Sequence, residues 1–163
     1  MSRGYGRVQR FILDTLERTA EDSEYGGPLR LWPLPALSSA YSYHLHEDSA
    51  WPAYTLPSGA ESPSIRNALN RARRQLARDN EIRSWEVWLH TRPGAGGLPL
   101  AKRRVLCVGR LGEYDLTEAD VDDAEALLLW RDYPGAFPEL VAACRAAQAE
   151  ERQYYADLRA KRG

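Results

Sequence analysis

The sequence is poor in cysteine and contains no long apolar run. Among 163 residues there are only two cysteines, Cys107 and Cys144, which are far apart along the chain. This scarcity argues against a disulfide scaffold or a cysteine-rich metal knuckle, so we expect both thiols to lie in the core. No window approaches the roughly 20 apolar residues of a membrane span, and the N-terminus does not resemble a signal peptide. We therefore expect a cytoplasmic protein with no membrane partner.

Motifs for catalysis and metal binding are also absent. The sequence has no nucleophile elbow, phosphate-binding loop or zinc-protease motif, so we expect neither an enzyme nor a cofactor. His44 and His46 are two residues apart on a predicted helix and point in different directions, so we expect no metal site there. His90 ends a predicted strand and is expected to have a structural or phosphate-contacting role. The acidic run from Glu118 to Glu125 is expected to form a solvated helix face.

Basic residues are concentrated in one central segment. The net charge is −1, and arginine supplies 20 of the 22 basic side chains. Residues 64–104 contain ten basic and three acidic side chains, whereas residues 112–163 contain six basic and twelve acidic ones. A polyanion responds to the local surface over a Debye length of about 10 Å. The overall charge is therefore compatible with binding to DNA.

The clearest functional signal is the segment from Ser62 to Arg78, which is predicted to be an amphipathic helix. Ser62 and Pro63 are typical of a helix N-terminus. The apolar residues that share one face are Ile65, Leu69, Ala72 and Leu76. The opposite face carries Asn67, Asn70, Arg71, Arg74 and Arg78, with Arg66 and Arg73 on a flank. Asparagine and arginine have paired hydrogen-bonding groups that match purine edges in the major groove.

Periodicity predicts further elements on both sides of this helix. Before it come a helix over Tyr5–Thr19, a short edge strand over Pro28–Trp32 and a helix over Pro33–Leu45. After it come two strands, Ile82–His90 and Lys102–Leu111, joined by a glycine-rich tip at 93–97. Basic residues at the ends of these strands give the hairpin the character of a basic wing.

This order of elements resembles the winged helix-turn-helix family of DNA-binding regulators. The stretch GRVQRFILDTLER is similar to the first helix of that family, and SIRNALNRARRQLARDNEI is similar to its recognition helix and the turn that follows. The resemblance covers residues 5–111 and implies an α+β, mainly helical fold with a winged helix-turn-helix domain at residues 1–111. The sequence departs from the family pattern in the long insert at 47–61. It also has Asn80 where glycine is common, although asparagine tolerates the left-handed conformation.

The resemblance implies sequence-specific binding of double-stranded DNA, by a transcriptional regulator, repressor or recombination accessory factor of a bacterium or mobile element. The third helix would enter the major groove while the wing holds the DNA backbone. The expected base-reading residues are Ser64, Asn67, Asn70, Arg71 and Arg74. The expected backbone and wing residues are Arg66, Arg73, Arg78, Arg92, Lys102, Arg103 and Arg104.

Residues 112–163 are predicted to form a helical extension. The hairpin is apolar on both faces, so a second layer must cover it, and Asp115–Trp130 is predicted to be the covering helix. A last helix begins at Pro138, and its seam has the alternating spacing of a coiled coil. This helix is expected either to form a homodimer or to pack on its own domain. The expected dimerisation residues are Leu140, Cys144, Ala147, Tyr154 and Leu158, and Glu151 also lies in the seam.

Two other functions remain open at this stage. The chain could be a protein–protein interaction module that reuses the winged-helix shape and docks its acidic C-terminal segment on a basic partner. It could also be an enzyme whose site no motif announces.

Overall fold

A computed structural model gives the fold of the chain. It describes residues 4–21, 29–46, 62–92, 101–111, 115–132 and 137–163. The insert at 47–61 and the hairpin tip at 93–97 lie outside these ranges. So do the side chains of Arg92 and Leu140, whose backbones are described.

The described residues form five helices and a three-stranded antiparallel sheet, which confirms the predicted mainly helical α+β class. The helices are α1 (Arg7–Glu21), α2 (Leu34–His46), α3 (Pro63–Arg78), α4 (Glu118–Asp132) and α5 (Phe137–Arg162). The strands are β1 (Trp32–Pro33), β2 (Ile82–Arg92) and β3 (Ala101–Arg110). The chain order is α1, β1, α2, α3, β2, β3, α4, α5.

The sheet has the strand order β1-β3-β2. Val108 of β3 is opposite Trp32 on one side and Ser84 on the other. The predicted strand at 28–32 is wrong in position, because it overlaps β1 only at Trp32. The backbone N–H of Leu29 donates to the backbone carbonyl of Thr19 in the last turn of α1 (2.7 Å) and not to a strand. Pro33 suits an edge strand because it has no N–H to donate.

Apolar side chains fill a core on each face of the hairpin. On one face, α1, α2 and α3 pack around residues such as Leu37, Leu69 and Val108. On the other face, Ala124 and Leu128 of α4 join a cluster with Leu89, Val105 and Cys107. The covering helix predicted at Asp115–Trp130 is observed as α4 (Glu118–Asp132), which packs on the second face.

The ends of α3 show why this helix has its observed bounds. The Ser62 side chain does not cap a backbone N–H of the first turn, and its hydroxyl instead lies 2.6 Å from that of Ser64. At the other end, Asn80 adopts a left-handed φ of 57°. The N–H groups of Asn80 and Glu81 donate to the carbonyls of Ala77 and Leu76, which is a Schellman motif. Asn80 therefore performs the turn for which glycine is more common.

The acidic run at the start of α4 is not the solvated face that was expected. Thr117 and Asp120 form a reciprocal cap, in which each backbone N–H donates to the other side chain (2.8 and 3.3 Å). Asp120 is 5% exposed and Glu125 is 1% exposed. The run spans more than one helical turn, so its carboxylates point in different directions and two of them face the protein interior.

Both cysteines are buried and unpaired, as predicted. Burial raises the pKa of the Cys107 thiol from 9.0 to about 12. The folded chain therefore keeps a proton that the unfolded chain releases above about pH 9. The resulting stabilisation is complete below that pH and is lost as the pH rises towards the folded value.

We expect this proton to make stability depend on alkaline pH. Between pH 8 and pH 10 the Cys107 thiol should reduce the free energy of unfolding by about 1.4 kcal/mol. Urea denaturation of the wild type and of Cys107→Ala would measure the difference. The free energy of unfolding of Cys107→Ala should fall less between pH 8 and pH 10 than that of the wild type. An equal fall in the two proteins would show that the Cys107 thiol does not cause this pH dependence.

Candidate nucleic-acid interface

The polar face of α3 points away from the core. Leu69, Ala72 and Leu76 are buried because α3 packs on α1, α2 and β2. The predicted contact residues that are exposed are Ser64, Arg66, Asn67, Arg71, Arg74 and Arg78, and Asn70 is half-buried. The face that could meet DNA is therefore the complement of the face that holds the helix in place.

Most arginines on this helix are not neutralised. Within the described part of the chain, Arg66, Arg71, Arg74 and Arg78 form no ion pair with a carboxylate. Their guanidinium groups can therefore donate to phosphate oxygens or to guanine edges.

Arg73 differs from these four. It is half-buried, and its Nη1 donates to the hydroxyl of Ser84 in β2 (3.2 Å). Its buried Nε has no hydrogen-bond partner in the part of the chain that the structure describes. Burial, and to a smaller extent the neighbouring charge of Arg74, lowers the pKa of Arg73. Arg73 thus packs at the junction of α3 and β2, and only part of its donor set can reach a phosphate.

Residues of α3 and β3 meet around one cavity of about 180 Å³. Arg66 and Asn70 of α3 line it together with Arg103 and Arg104 of β3. Leu34, Pro35 and Ser38 at the start of α2 complete one side. Asn70, which was predicted to read bases, therefore lies near three residues predicted to hold the DNA backbone, namely Arg66, Arg103 and Arg104.

The hairpin cations are partly engaged. The Nζ of Lys102 lies 2.7 Å from a carboxylate oxygen of Glu151 in α5. The Nη1 of Arg104 lies 3.0 Å from a carboxylate oxygen of Glu86, and both of these side chains are more than half exposed. Arg103, opposite Leu89, forms no ion pair with any described residue. Arg92 is opposite Ala101 in the strand, but its side chain lies outside the described residues.

A second polar cluster, which was not predicted, lies on the opposite side of the sheet. The Glu125 carboxylate accepts hydrogen bonds from the backbone N–H of His90 (2.9 Å) and from the thiol of Cys144 (2.9 Å). It also contacts the ring Nδ1 of His90 (3.0 Å) and accepts from the amide of Gln148. Three elements, β2, α4 and α5, therefore meet at one buried carboxylate. The ring of His90 is 7% exposed and faces a carboxylate, and its expected structural or phosphate-contacting role stays a prediction.

The sequence contains a weak signal for this cluster. Glu125 precedes Leu128 and Leu129 by three and four residues, and both of these leucines are buried; Cys144 and Gln148 are four residues apart on one face of α5. A glutamate inside an apolar helix stripe indicates a buried partner. The pattern does not indicate which residue of β2 would supply that partner.

The predicted seam of α5 divides into two parts. Cys144 is 3% exposed and already packs against α4 of the same chain. Ala147 and Leu158 are half-buried, while Tyr154 is 60% exposed. The first part of α5, up to Arg152, therefore packs on its own chain. The second part, from Gln153 onward, presents an aromatic side chain to solvent. The side chain of Leu140 lies outside the described residues.

None of the described helices is both long enough and apolar enough to cross a membrane. Comparison of the chain with protein-family models, curated proteins and solved structures found no match.

Proposed function

We propose that this chain binds double-stranded DNA sequence-specifically through a winged helix-turn-helix architecture. It would act as a transcriptional regulator, repressor or recombination accessory factor. The observation that carries the proposal is the cavity shared by Arg66 and Asn70 of α3 with Arg103 and Arg104 of β3. The element order α1-β1-α2-α3-β2-β3 and the pairing of β1 with β3 also support this architecture.

The proposed mechanism is binding without a catalytic step. The exposed face of α3 enters the major groove, where Asn67, Arg71 and Arg74 meet base edges. Arg66, Arg78 and Arg103 bind phosphates on either side, which sets the position of the helix along the duplex. The base contacts determine the sequence preference, and the phosphate contacts determine the salt dependence.

Variants of α3 test the division between base reading and phosphate binding. Arg71→Ala and Arg74→Ala should each reduce the binding free energy for a site selected from a random DNA pool by about 1–3 kcal/mol. The loss of binding free energy on unrelated DNA should be smaller. Arg66→Ala and Arg103→Ala should weaken binding to the selected site and to unrelated DNA by the same factor. Each should also make the negative slope of log K against log salt shallower by about 0.9. Fluorescence anisotropy at several salt concentrations measures both quantities.

Arg145→Ala is the matched control, because it removes the same charge from an exposed position on α5. This variant should bind as the wild type does. Failure to enrich any sequence from the pool, or wild-type binding by all the α3 variants, would contradict the proposal.

The ion pair between Lys102 and Glu151 gives a second test. Glu151→Gln should release Lys102 for a phosphate, so affinity should rise and the salt slope should steepen by up to about 0.9. The pair is partly exposed, so the free energy of unfolding should change by less than about 1 kcal/mol. Glu150→Gln removes the neighbouring exposed charge, for which the described residues show no ion pair. Equal slopes for the two variants would argue against a wing contact by Lys102.

We further propose that the chain binds DNA as a homodimer through the second part of α5. Tyr154 and Tyr155 support this assignment, because they are 60% and 53% exposed and stack edge to face. Exposed aromatic side chains are typical of interface cores.

Sedimentation equilibrium tests the dimer. The double variant Tyr154→Ser with Tyr155→Ser should weaken dimerisation at least tenfold, because it removes the aromatic surface buried on association. Arg145→Ser, on the first part of the same helix, should leave it unchanged. A wild-type chain that stays monomeric at a protein concentration of roughly 100 µM would contradict the dimer but not DNA binding.

A protein–protein interaction module is the second candidate function. It is favoured by Trp88, which lies on the hairpin and is 57% exposed. Large exposed aromatics are enriched in protein interfaces. This candidate gains support if the chain shows no salt-dependent affinity for any DNA.

A further inference from the structure

A cavity of about 530 Å³ lies between the hairpin, α4 and α5, and none of its lining residues belongs to α3. His90, Glu125 and Gln148 are among its lining residues. All three are buried, with exposed fractions of 7%, 1% and 6%. The cavity therefore connects the buried carboxylate cluster with a space that is large enough for water or a small ion.

The side chains of this cluster carry three metal-binding atoms of different chemistry. The Nδ1 of His90, a carboxylate oxygen of Glu125 and the Sγ of Cys144 all lie within 4.8 Å of one another. Nδ1 lies 3.0 Å from one carboxylate oxygen, and Sγ lies 2.9 Å from the other. Ligand atoms around a tetrahedral zinc ion are about 3.3–3.8 Å apart, so small side-chain movements would create that geometry.

Gln148 supplies an independent observation. Its Nε2 donates to Glu125, but its buried Oε1 has no hydrogen-bond partner among the described residues. A buried acceptor without a hydrogen bond is energetically unfavourable, so such an atom calls for a donor or a cation. Because Gln148 also lines the cavity, that partner can enter from the cavity side.

We propose that His90, Glu125 and Cys144 bind a zinc ion, with Gln148 Oε1 accepting a hydrogen bond from a water molecule in the fourth position. Nitrogen, oxygen and sulfur together suit zinc, whereas magnesium and calcium prefer oxygen alone. On binding, the Cys144 thiol loses its proton to solvent and the thiolate takes its place on the metal.

A hydrogen-bond network without metal is the competing account of these residues. In that account the buried carboxylate accepts hydrogen bonds from the backbone N–H of His90, the amide of Gln148 and the weakly donating thiol of Cys144, and it contacts the ring of His90. It leaves Gln148 Oε1 unpaired. Zinc would balance the carboxylate charge, and its water would satisfy the amide oxygen. The proposal thus accounts for one more atom than the network does.

Cobalt substitution tests the site in the untagged full chain. After removal of metals with a chelator, one equivalent of Co²⁺ should bind and give tetrahedral d–d bands together with a thiolate-to-cobalt charge-transfer band. Zn²⁺ should displace the cobalt and abolish these bands. Because this measurement needs no variant, it does not depend on whether a substituted chain folds. Absence of the charge-transfer band in the wild type would overturn the proposal.

Variants identify the ligands. Cys144→Ser should lose the charge-transfer band and weaken zinc binding at least tenfold, as measured by competition with a chromophoric chelator. Glu125→Gln should weaken zinc binding by a similar factor. The matched control is Cys107→Ser, since Cys107 is also buried but lies outside the cluster. A band that persists in Cys144→Ser and disappears in Cys107→Ser would place the thiolate ligand elsewhere and reject the site.

Thermal unfolding provides a second readout. Free zinc at a hundredfold excess over its Kd should raise the midpoint of the wild type by about 5–10 °C and leave Cys144→Ser nearly unchanged. An equal rise in both proteins would indicate binding at another place and would also reject the assignment.

Discussion

The β2–β3 hairpin carries apolar side chains on both faces, and this two-sided surface determines where the helices lie. One face holds α1, α2 and α3 through residues that include Val108, and the other holds α4 through Val105 and Cys107. Full burial of each large aliphatic side chain stabilises the fold by about 1.5–3 kcal/mol. Detaching either helical layer would expose one apolar face of the hairpin and lose this free energy for every side chain on it. Leu127 of α4 also joins the core that contains α1–α3. Residues before and after position 111 in the sequence therefore share one core. The hairpin places α3 and the acidic extension on opposite faces of the same sheet.

Local periodicity explains which elements could be predicted and which could not. The helix expected from Ser62 to Arg78 is observed at Pro63–Arg78, because its apolar stripe, its N-terminal proline and Asn80 all act within a few residues. The edge strand was placed wrongly because β1 is defined by pairing with Val108 and Cys107, far along the chain. A two-residue strand has no periodicity of its own. Its position is a tertiary property that no local pattern contains.

The same distinction applies to the candidate sites. The outward face of α3 was predictable, because on a helix the buried stripe dictates the opposite side. The partner of Lys102 was not, since Glu151 is 49 residues away and belongs to a helix whose docking depends on α4. Glu125 was misread because charge alone indicates solvent, whereas the helix turns it towards Cys144 and Gln148. In each case the error concerns a polar contact between distant elements, where the side chain's chemistry is visible in sequence and its surroundings are not.

The folded arrangement also changes the meaning of the uneven charge distribution. Some carboxylates of the extension are paired within it, because Arg152 bridges Glu118 (3.1 Å) and Asp122 (2.9 Å). Glu151 is paired with Lys102, so one hairpin cation is taken from the basic surface while one carboxylate is removed from the acidic surface. The exposed arginines of α3 form no ion pair with a described carboxylate, and the apolar face of this helix packs with α1 and α2 on the other face of the hairpin from α4. Low-dielectric protein separates the two surfaces and solvent screens them over about 10 Å, so the net charge of −1 describes neither. A phosphate backbone approaching α3 would meet a positive surface whose strength depends on how firmly α5 holds Lys102.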